Sequence, residues 1–199
     1  MSATDINYDS SMSRWEPNAR GRLEHAAMSL YVERGFEETT VAEIAERAGL
    51  AERTFFRHFV DKREVLFSGA SELQALLVRT VAEAPASTSP IDAITAAIEA
   101  AGEMLGEHRE RSRERQKVID ANNDLKEREL IKLATLAAAL AESLRQRDVK
   151  DPSASLAAEA GVAVFKIAFE RWLLDRSERS LTQLIDESFR QLRDVTSGA

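Results

Sequence analysis

The sequence predicts an all-α protein, in which an N-terminal three-helix unit containing a helix-turn-helix precedes a larger helical domain. Three observations predict this fold class. Apolar residues recur at intervals of three and four along most of the chain, which is the period of an amphipathic helix. No stretch alternates apolar and polar residues as a half-buried strand does. Capping residues and helix breakers divide the periodic stretches into separate helices.

The first three helices each carry a start or stop signal. The first is predicted over about residues 18–34, and Gly35 is the residue expected to end it. Thr40 and Glu43 have the spacing of a capping box, in which each side chain bonds the other residue's backbone N–H. They are expected to begin the second helix. The third helix is predicted over about residues 51–59.

Helical signals continue to the end of the chain. Asp61 is expected to cap a fourth helix that ends near Pro85. Asp151 and Pro152 form a later helix start, as an N-cap residue followed by proline in the first turn. The remaining helices are predicted over residues 91–105, around 118–119, over 125–147, from 152 and from 180.

These elements divide the chain into three parts. Residues 1–17 are polar and have no periodic pattern, so a flexible arm is predicted there. Residues 18–66 form the predicted helix-turn-helix unit, and residues 67–199 form the larger helical domain.

Residues 39–62, TTVAEIAERAGLAERTFFRHFVDK, predict the helix-turn-helix itself. Ala45 lies four residues before Gly49, and Phe55 lies six residues after it. A small Ala lets the two helices cross closely, Gly adopts the turn conformation, and Phe fills the angle between the helices. Such a unit places its second helix in the DNA major groove. Many all-α proteins also contain two short helices joined at a Gly, so the spacing alone leaves a purely structural unit open.

Composition narrows the class of protein. Without any Cys, the chain has no thiolate zinc site, no iron–sulfur cluster and no Cys nucleophile, and we expect a cytoplasmic protein. No apolar run approaches the roughly 20 residues of a membrane-spanning helix, so no membrane partner is expected. The net charge of −7 does not exclude DNA binding, because phosphate contacts need only a local basic surface.

Over about residues 20–66 the chain resembles the TetR family of bacterial transcriptional regulators. The residues that carry the resemblance are Glu33-Arg34-Gly35-Phe36, Thr39-Thr40-Val41, Ile44-Ala45, Ala48-Gly49, Thr54, Phe55-Phe56, His58-Phe59 and Lys62. The resemblance implies a homodimer that binds a double-stranded DNA operator. It also implies that the larger domain serves for ligand binding and dimerisation. The protein would then be a repressor that leaves the DNA when a small-molecule effector binds in this domain.

The resemblance also implies which residues read bases. Glu52, Arg53 and Arg57 fall on the outer face of the third helix. An Arg can bind guanine O6 and N7 with two hydrogen bonds, and a Glu can accept a hydrogen bond from cytosine N4. Ala42, on the second helix, stands where the family can touch a base edge, but it offers only an apolar contact.

Other positions match residues that hold the phosphate backbone. Thr40 would present the start of the second helix to a phosphate. Thr54, His58 and Lys62 would bind phosphates and so set the register of the protein on DNA. Phe56 stands at a contact position where the family commonly has Tyr, so the hydroxyl that often reaches a phosphate is missing.

Three further cations are candidates for DNA contacts from an N-terminal arm: Arg14, Arg20 and Arg22. Such an arm can enter the minor groove or clamp phosphates. A disordered tail without DNA contacts remains the alternative. Ala51 stands where the family often has a Ser or Thr cap, so the third helix should start weakly.

The larger domain supplies predictions for the effector and the dimer. The residues predicted to line a ligand cavity are Leu77, Met104, Ile119, Asn122 and Phe165. The last two helices are predicted to form a four-helix dimer interface, with close approach allowed by Ala157, Ala158, Gly161 and Ala168. For Phe165, Phe169 and Trp172, a role in the core, the cavity or the interface stays open.

Catalytic and metal-binding functions find no support in the sequence. It has no Gly-rich phosphate loop, no GxSxG and no HExxH motif, so no enzyme and no cofactor are predicted. His108 lies near Glu103 and Glu107 without metal-ligand spacing, so no metal site is predicted and a solvated surface is expected. Two alternatives remain. One is a ligand-independent regulator or an activator that uses the larger domain only to dimerise, and the other is a helical interaction protein without operator binding.

Overall fold

In the computed structural model, which describes residues 18–198, the chain is helical and contains no strand within that range. The helices are α1 (Ala19–Arg34), α2 (Val41–Arg47), α3 (Glu52–His58), a 3-10 helix (Glu64–Phe67), α4 (Ala70–Glu83), α5 (Pro90–Gly106), α6 (Arg109–Asp120), α7 (Asn123–Arg145), α8 (Ser153–Leu174) and α9 (Leu181–Ser197). The all-α prediction is confirmed. The predicted arm over residues 1–17, with Arg14, lies outside the described residues.

Local signals set the ends of the first helices as the sequence predicts. Gly35 ends α1 with a φ of 91°, a positive value that glycine adopts without strain. The capping box at the start of α2 is complete, because Thr40 and Glu43 each bond the backbone N–H of the other. Ala51 precedes α3 without any side-chain cap.

Two predicted helix starts are wrong in detail. Asp61 does not cap α4, because its Oδ1 accepts hydrogen bonds from the backbone N–H groups of Arg63 and Glu64 at 2.8 and 3.1 Å. It therefore begins the 3-10 helix, and α4 starts only at Ala70. At α8, Pro152 is the N-cap and Asp151 lies one residue outside, although its Oδ1 still accepts a 3.3 Å hydrogen bond from the Ser155 N–H.

The N-terminal unit, defined as α1 to α3 with the 3-10 helix, has a core that draws on distant parts of the chain. Leu23, Ile44 and Phe55 are completely buried at its centre. Ile119 from α6 and Leu125 from α7, both completely buried, belong to the same cluster. The predicted division at residue 66 therefore separates side chains that share one core.

The C-terminal unit, defined as α4, α5 and α7 to α9, packs around a second apolar cluster. Gly161 of α8 lies so close to α5 that a Cβ there would meet Ile94 Cγ2 at 2.1 Å. Ala158 and Ala168 on α8 are completely buried in this cluster. Gly161 therefore brings α8 against α5, and Ala157, Ala158 and Ala168 are buried within the same chain, which corrects the prediction that these small residues serve a dimer interface.

One described segment, Glu64–Glu83, has the length and mean hydropathy, 1.2, of a membrane-crossing helix. It is not one continuous α-helix, since the 3-10 helix ends at Phe67 and α4 begins at Ala70. Leu77 and Val81 on this segment are completely buried in the C-terminal cluster. In all, 28% of the apolar window is buried inside the protein.

Candidate nucleic-acid interface

The turn between α2 and α3 has the geometry that the sequence predicts for a helix-turn-helix. Gly49 stands in the turn with a φ of 66°. Ala45 is 2% exposed at the crossing of the two helices, and Phe55 is completely buried in the angle between them. The guanidinium of Arg22 donates a hydrogen bond to Ala48 O, so α1 holds the turn from behind. The turn therefore orients α3 rigidly on the N-terminal unit.

The outer face of α3 carries Glu52, Arg53, Phe56 and Arg57, all of them exposed. Thr54 is half-buried. Within residues 18–198, the guanidinium groups of Arg53 and Arg57 make no hydrogen bond and no ion pair. Two cations on one exposed helix face are therefore available to an external anion.

The remaining arginines of the N-terminal unit bind acceptors inside the chain. They are Arg20 with Glu24, Arg22 with Ala48 O, Arg34 with Glu43, Arg47 with Glu33, and Arg63 with Asp61. Hydrogen bonds from Arg47 and Ser29 lower the pKa of Glu33 to about 2. Glu24, Glu33 and Glu43 of α1 and α2 are thus matched by arginines on these helices, while the cations of α3 remain unmatched among the described residues.

Arg20 and Arg22 do not belong to an arm, which corrects that prediction. Both lie within α1. Arg20 Nη2 donates a 2.6 Å hydrogen bond to Ser68 O, and its guanidinium lies 5.7 Å from the Phe59 ring centre. These contacts tie α1 to the segment that follows α3.

Lys62 has a different environment from the one predicted. Its Nζ donates hydrogen bonds to the carbonyl oxygens of Phe36, Glu37 and Thr39 at 2.8, 3.1 and 3.0 Å. An ammonium group has only three donors, so all of them are used within the chain. Tyr31 Oη donates to Lys62 O at 2.7 Å, and burial raises the pKa of Tyr31. This geometry argues against a phosphate contact by Lys62.

His58 and Thr40 also use polar atoms internally. His58 is half-buried, and its Nε2 is enclosed without a hydrogen-bond partner among the described residues. Only Nδ1 is then left to reach a phosphate. The Thr40 hydroxyl donates to Glu43 Oε2 at 2.9 Å and accepts from the Glu43 N–H at 3.3 Å. Ala42 is exposed on α2. The DNA contacts of His58, Thr40 and Ala42 stay predictions.

The five predicted cavity residues do not line one cavity. Leu77 and Phe165 lie in the C-terminal cluster, whereas Ile119 is buried in the core of the N-terminal unit. Asn122 caps α7 through its Oδ1 and donates to Glu37 on the N-terminal unit. Met104 is 39% exposed. Their separation arises because α6 packs on the N-terminal unit, a contact between distant segments that helical spacing does not predict.

Sequence reasoning missed three arginines of α6, to which it assigned no role. Arg109 donates to the carbonyl oxygens of Trp172 and Asp175, and Arg113 donates to Leu173 O and Asp175 O at 2.8 and 2.9 Å. Arg109 and Arg113 are four residues apart and so share a helix face, the one signal available in advance. They hold the end of α8, where carbonyl groups lack helical partners.

The third of these arginines, Arg115, contacts the N-terminal unit. Arg115 Nε donates a 2.6 Å hydrogen bond to Leu66 O, and its guanidinium lies 5.0 Å from the Phe67 ring centre. Glu129 of α7 accepts from Arg115 Nη1 at 3.2 Å.

Within residues 18–198 no group of three or more potential metal ligands occurs, and His108 is exposed beside α6.

Comparison with known proteins agrees with this geometry. The family described as bacterial regulatory proteins, tetR family, matches residues 24–68, and the one described as MftR C-terminal domain matches residues 88–197. MftR of Mycobacterium tuberculosis is 25% identical over 185 residues, which cover 92% of this chain and 93% of MftR. The regulator TcmR of Streptomyces glaucescens is 36% identical over 81 residues, which cover 41% of this chain and only 36% of TcmR.

Solved structures show the same architecture. FadR of Thermus thermophilus, a TetR-family repressor in complex with lauroyl-CoA, is 25% identical with a TM-score of 0.54, covering 88% of this chain and 93% of FadR. FadR of Bacillus subtilis, in complex with stearoyl-CoA, is 19% identical with a TM-score of 0.56, covering 86% of this chain and 96% of that one, which shows the fold alone. With both halves of the chain matched, the protein belongs to the TetR family: it is a DNA-binding transcriptional regulator and not an enzyme.

Proposed function

We propose that this regulator is a cytoplasmic homodimeric repressor, which binds a palindromic operator and leaves it when a small molecule binds. One observation carries the DNA-reading part of the proposal. The exposed face of α3 presents Arg53 and Arg57 without partners among the described residues, although the other arginines of the N-terminal unit are paired. Free guanidinium groups on a rigid helix are suited to guanine O6 and N7.

Base reading and backbone binding fall to different side chains in this proposal. Arg53 and Arg57 bind guanine, and Glu52 accepts from cytosine N4. Thr54, together with Nδ1 of His58, holds phosphates and sets the register. Lys62 positions the loop before α2 and does not contact DNA, since its three donors are already occupied.

A surface of α8 supports the homodimer. Leu156, Ala160, Ala163, Ile167 and Leu174 are spaced by four, three, four and seven residues and so form one stripe. Leu156, Ile167 and Leu174 are 66%, 51% and 82% exposed, respectively. Side chains of this size in a row on a surface mark an interface. Val195 on α9 is also exposed, so the last two helices would together meet a second copy.

We infer that the effector is a small molecule with an apolar part, such as an acyl chain, that binds among the helices of the C-terminal unit. The FadR of Thermus thermophilus is complexed with lauroyl-CoA, and the C-terminal unit here is built from Leu, Ile, Ala and Phe side chains. Entry of such a molecule would move the helices that surround the cluster. A ligand that binds one arrangement better shifts the population toward it.

The contacts of α6 offer a route from the effector to the DNA-binding unit. Through Arg109 and Arg113, α6 holds the end of α8, and through Arg115 it holds Leu66 O within the 3-10 helix. Glu64 of that 3-10 helix is paired with Arg128 and Lys132 of α7. Movement of α8 would therefore reach the segment directly after α3. This coupling is the proposed means of release.

Selection of bound sequences from a random DNA pool tests the proposal. We expect a palindromic consensus whose half-sites lie about 34–36 Å apart, because two α3 helices must enter successive major grooves. Arg53→Ala should weaken binding to that consensus by roughly 1–3 kcal/mol and relax the preference at one base pair. An equal loss on random DNA would make Arg53 a phosphate contact. No enrichment from a monodisperse dimer would favour a helical interaction protein.

A further inference from the structure

Phe56 is a large apolar side chain on the charged outer face of α3. Its side chain is 55% exposed. Phe56 and Arg57 lie three and four residues after Arg53, so all of them share the surface that carries the base-reading candidates. Val60, four residues further along, is 83% exposed. Single exposed apolar residues are common on protein surfaces and need no explanation. This ring differs from them because it lies among the groups expected to contact DNA.

The ring is held against the core. The centres of the Phe56 and Phe55 rings lie 5.5 Å apart, with an interplanar angle of 82°, an edge-to-face arrangement. Phe55 is completely buried and so provides a fixed support. Phe56 has no hydroxyl group and can bind no phosphate oxygen. What it offers to DNA is apolar surface in a defined position.

We propose that Phe56 makes the regulator specific for thymine by packing on the C5-methyl group of one thymine in each half-site. This inference rests on the proposed DNA-reading role of α3. In the major groove, only thymine among the four bases presents a methyl group. An apolar contact with that methyl therefore separates T·A from the other base pairs without any hydrogen bond.

The position of the thymine follows from the helix. Side chains three residues apart on a helix lie about 5–6 Å from each other, and successive bases rise about 3.4 Å along a strand. Phe56 and Arg53 therefore reach base pairs that are one or two steps apart. The predicted half-site has a thymine within about two steps of the guanine that Arg53 binds.

Replacement of thymine by deoxyuridine tests this contact, because it removes the methyl group and keeps all base pairing. In the operator obtained by selection, each thymine of the half-site is replaced in turn and binding is measured with the full-length protein. One replacement should weaken binding by about three- to fivefold per half-site, the loss of one buried methyl. The other replacements should change binding little.

Variants assign the effect to Phe56. With Phe56→Ala, the operator and its sensitive deoxyuridine form should bind equally well. Arg53→Ala is the matched control on the same helix face, and it should keep the deoxyuridine sensitivity while losing the guanine preference. Thermal unfolding of both variants confirms that the N-terminal unit is folded, as expected for side chains on the surface.

The outcomes separate this inference from the proposed function. If no sequence is enriched, the operator-binding proposal fails. If an operator with an Arg53-dependent guanine is found, but no deoxyuridine replacement weakens binding, Phe56 does not read thymine. Sensitivity that persists in Phe56→Ala would also overturn the inference. So would a Phe56→Ala variant that weakens binding to all sequences alike, since its ring would then pack on the sugar–phosphate backbone.

Discussion

At the scale of single residues, hydrogen-bond partners decide which cations can meet DNA. Arg47 is held by two oxygens of Glu33 at 2.8 and 2.9 Å, whereas Arg53 and Arg57 make no bond within residues 18–198. A guanidinium already bound to a carboxylate must give up a charge-assisted hydrogen bond before it can bind a phosphate. The unpaired arginines of the N-terminal unit therefore lie on α3, so the DNA contacts proposed for them are compatible with a net charge of −7.

Lys62→Met provides the first prediction at this scale. The variant loses three hydrogen bonds from an ammonium group to backbone carbonyls, so we expect the free energy of unfolding to fall by roughly 1–3 kcal/mol. Urea unfolding measures the loss, and Lys150→Met, at an exposed lysine, is the control. The salt dependence of DNA binding should not change. If stability is unaltered and the slope of the salt dependence of DNA binding falls by about one, Lys62 binds a phosphate after all.

At the scale of helices, the ends are determined by single side chains. Thr40 completes a capping box at α2, whereas Ala51 at α3 has extended backbone angles, φ −76° and ψ 147°, and no side chain that can cap. These angles are the ones that Ser or Asp adopt at an N-cap. Helix α3 thus begins without a side-chain cap.

Ala51→Ser is predicted to stabilise the protein. The new hydroxyl can accept a hydrogen bond from a backbone N–H of the first turn of α3, which should raise the free energy of unfolding by about 0.5–1 kcal/mol. Chemical denaturation measures the gain. Ala51→Val, which adds volume without a hydroxyl, should show no gain. An Ala51→Ser protein with unchanged stability would mean that the backbone N–H groups in the first turn of α3 already donate hydrogen bonds to other acceptors.

Helix α6 stabilises the N-terminal unit although it lies far from it in sequence. Ile119 is completely buried in that unit's core, so Ile119→Ala should cost about 2–5 kcal/mol of stability. Hydrogen exchange should show a greater loss of protection in α1 than in α9. Leu130→Ala, at a position 57% exposed on α7, is the control and should have little effect. Equal loss of protection in α1 and α9 would contradict a specific link between α6 and the N-terminal unit.

At the scale of the whole molecule, the chain exposes an apolar stripe, which is the proposed dimer interface. The stripe on α8 contains Leu156, Ile167 and Leu174, while the opposite face of α8 is buried against α5 through Gly161. Covering the stripe with a second copy would remove these side chains from water. The same pairing would set the distance between two α3 helices, on which operator spacing depends.

Ile167→Glu is predicted to separate the dimer, because an unpaired carboxylate would enter the apolar interface. Analytical ultracentrifugation should show a monomer, and operator affinity should fall as the two half-sites lose their linkage. Leu130→Glu introduces the same charge at an exposed Leu on α7 and should leave the dimer intact. An Ile167→Glu protein that sediments as a dimer would place the interface elsewhere.

Much of the fold could be predicted from the sequence because its signals are local. The start of α2 depends on Thr40 and Glu43, three residues apart, and the turn before α3 on Gly49. The exposed face of α3, with Arg53 and Arg57, follows equally from helical spacing. Each of these features involves residues within one or two helical turns, so all the interacting residues lie in one short stretch of sequence.

Contacts between distant residues were decided only by the tertiary structure. Lys62 reaches carbonyls more than 20 residues earlier, Arg115 reaches Leu66, and Ile119 enters the core of the N-terminal unit. Whether a charged side chain meets DNA or a carbonyl, and whether an apolar one lines a cavity or a core, depends on which helices come together. The sequence by itself determined the helices and the exposed face of α3, through capping, turn and periodicity. Only packing assigned the partners, because burial and pairing depend on neighbours that are remote along the chain.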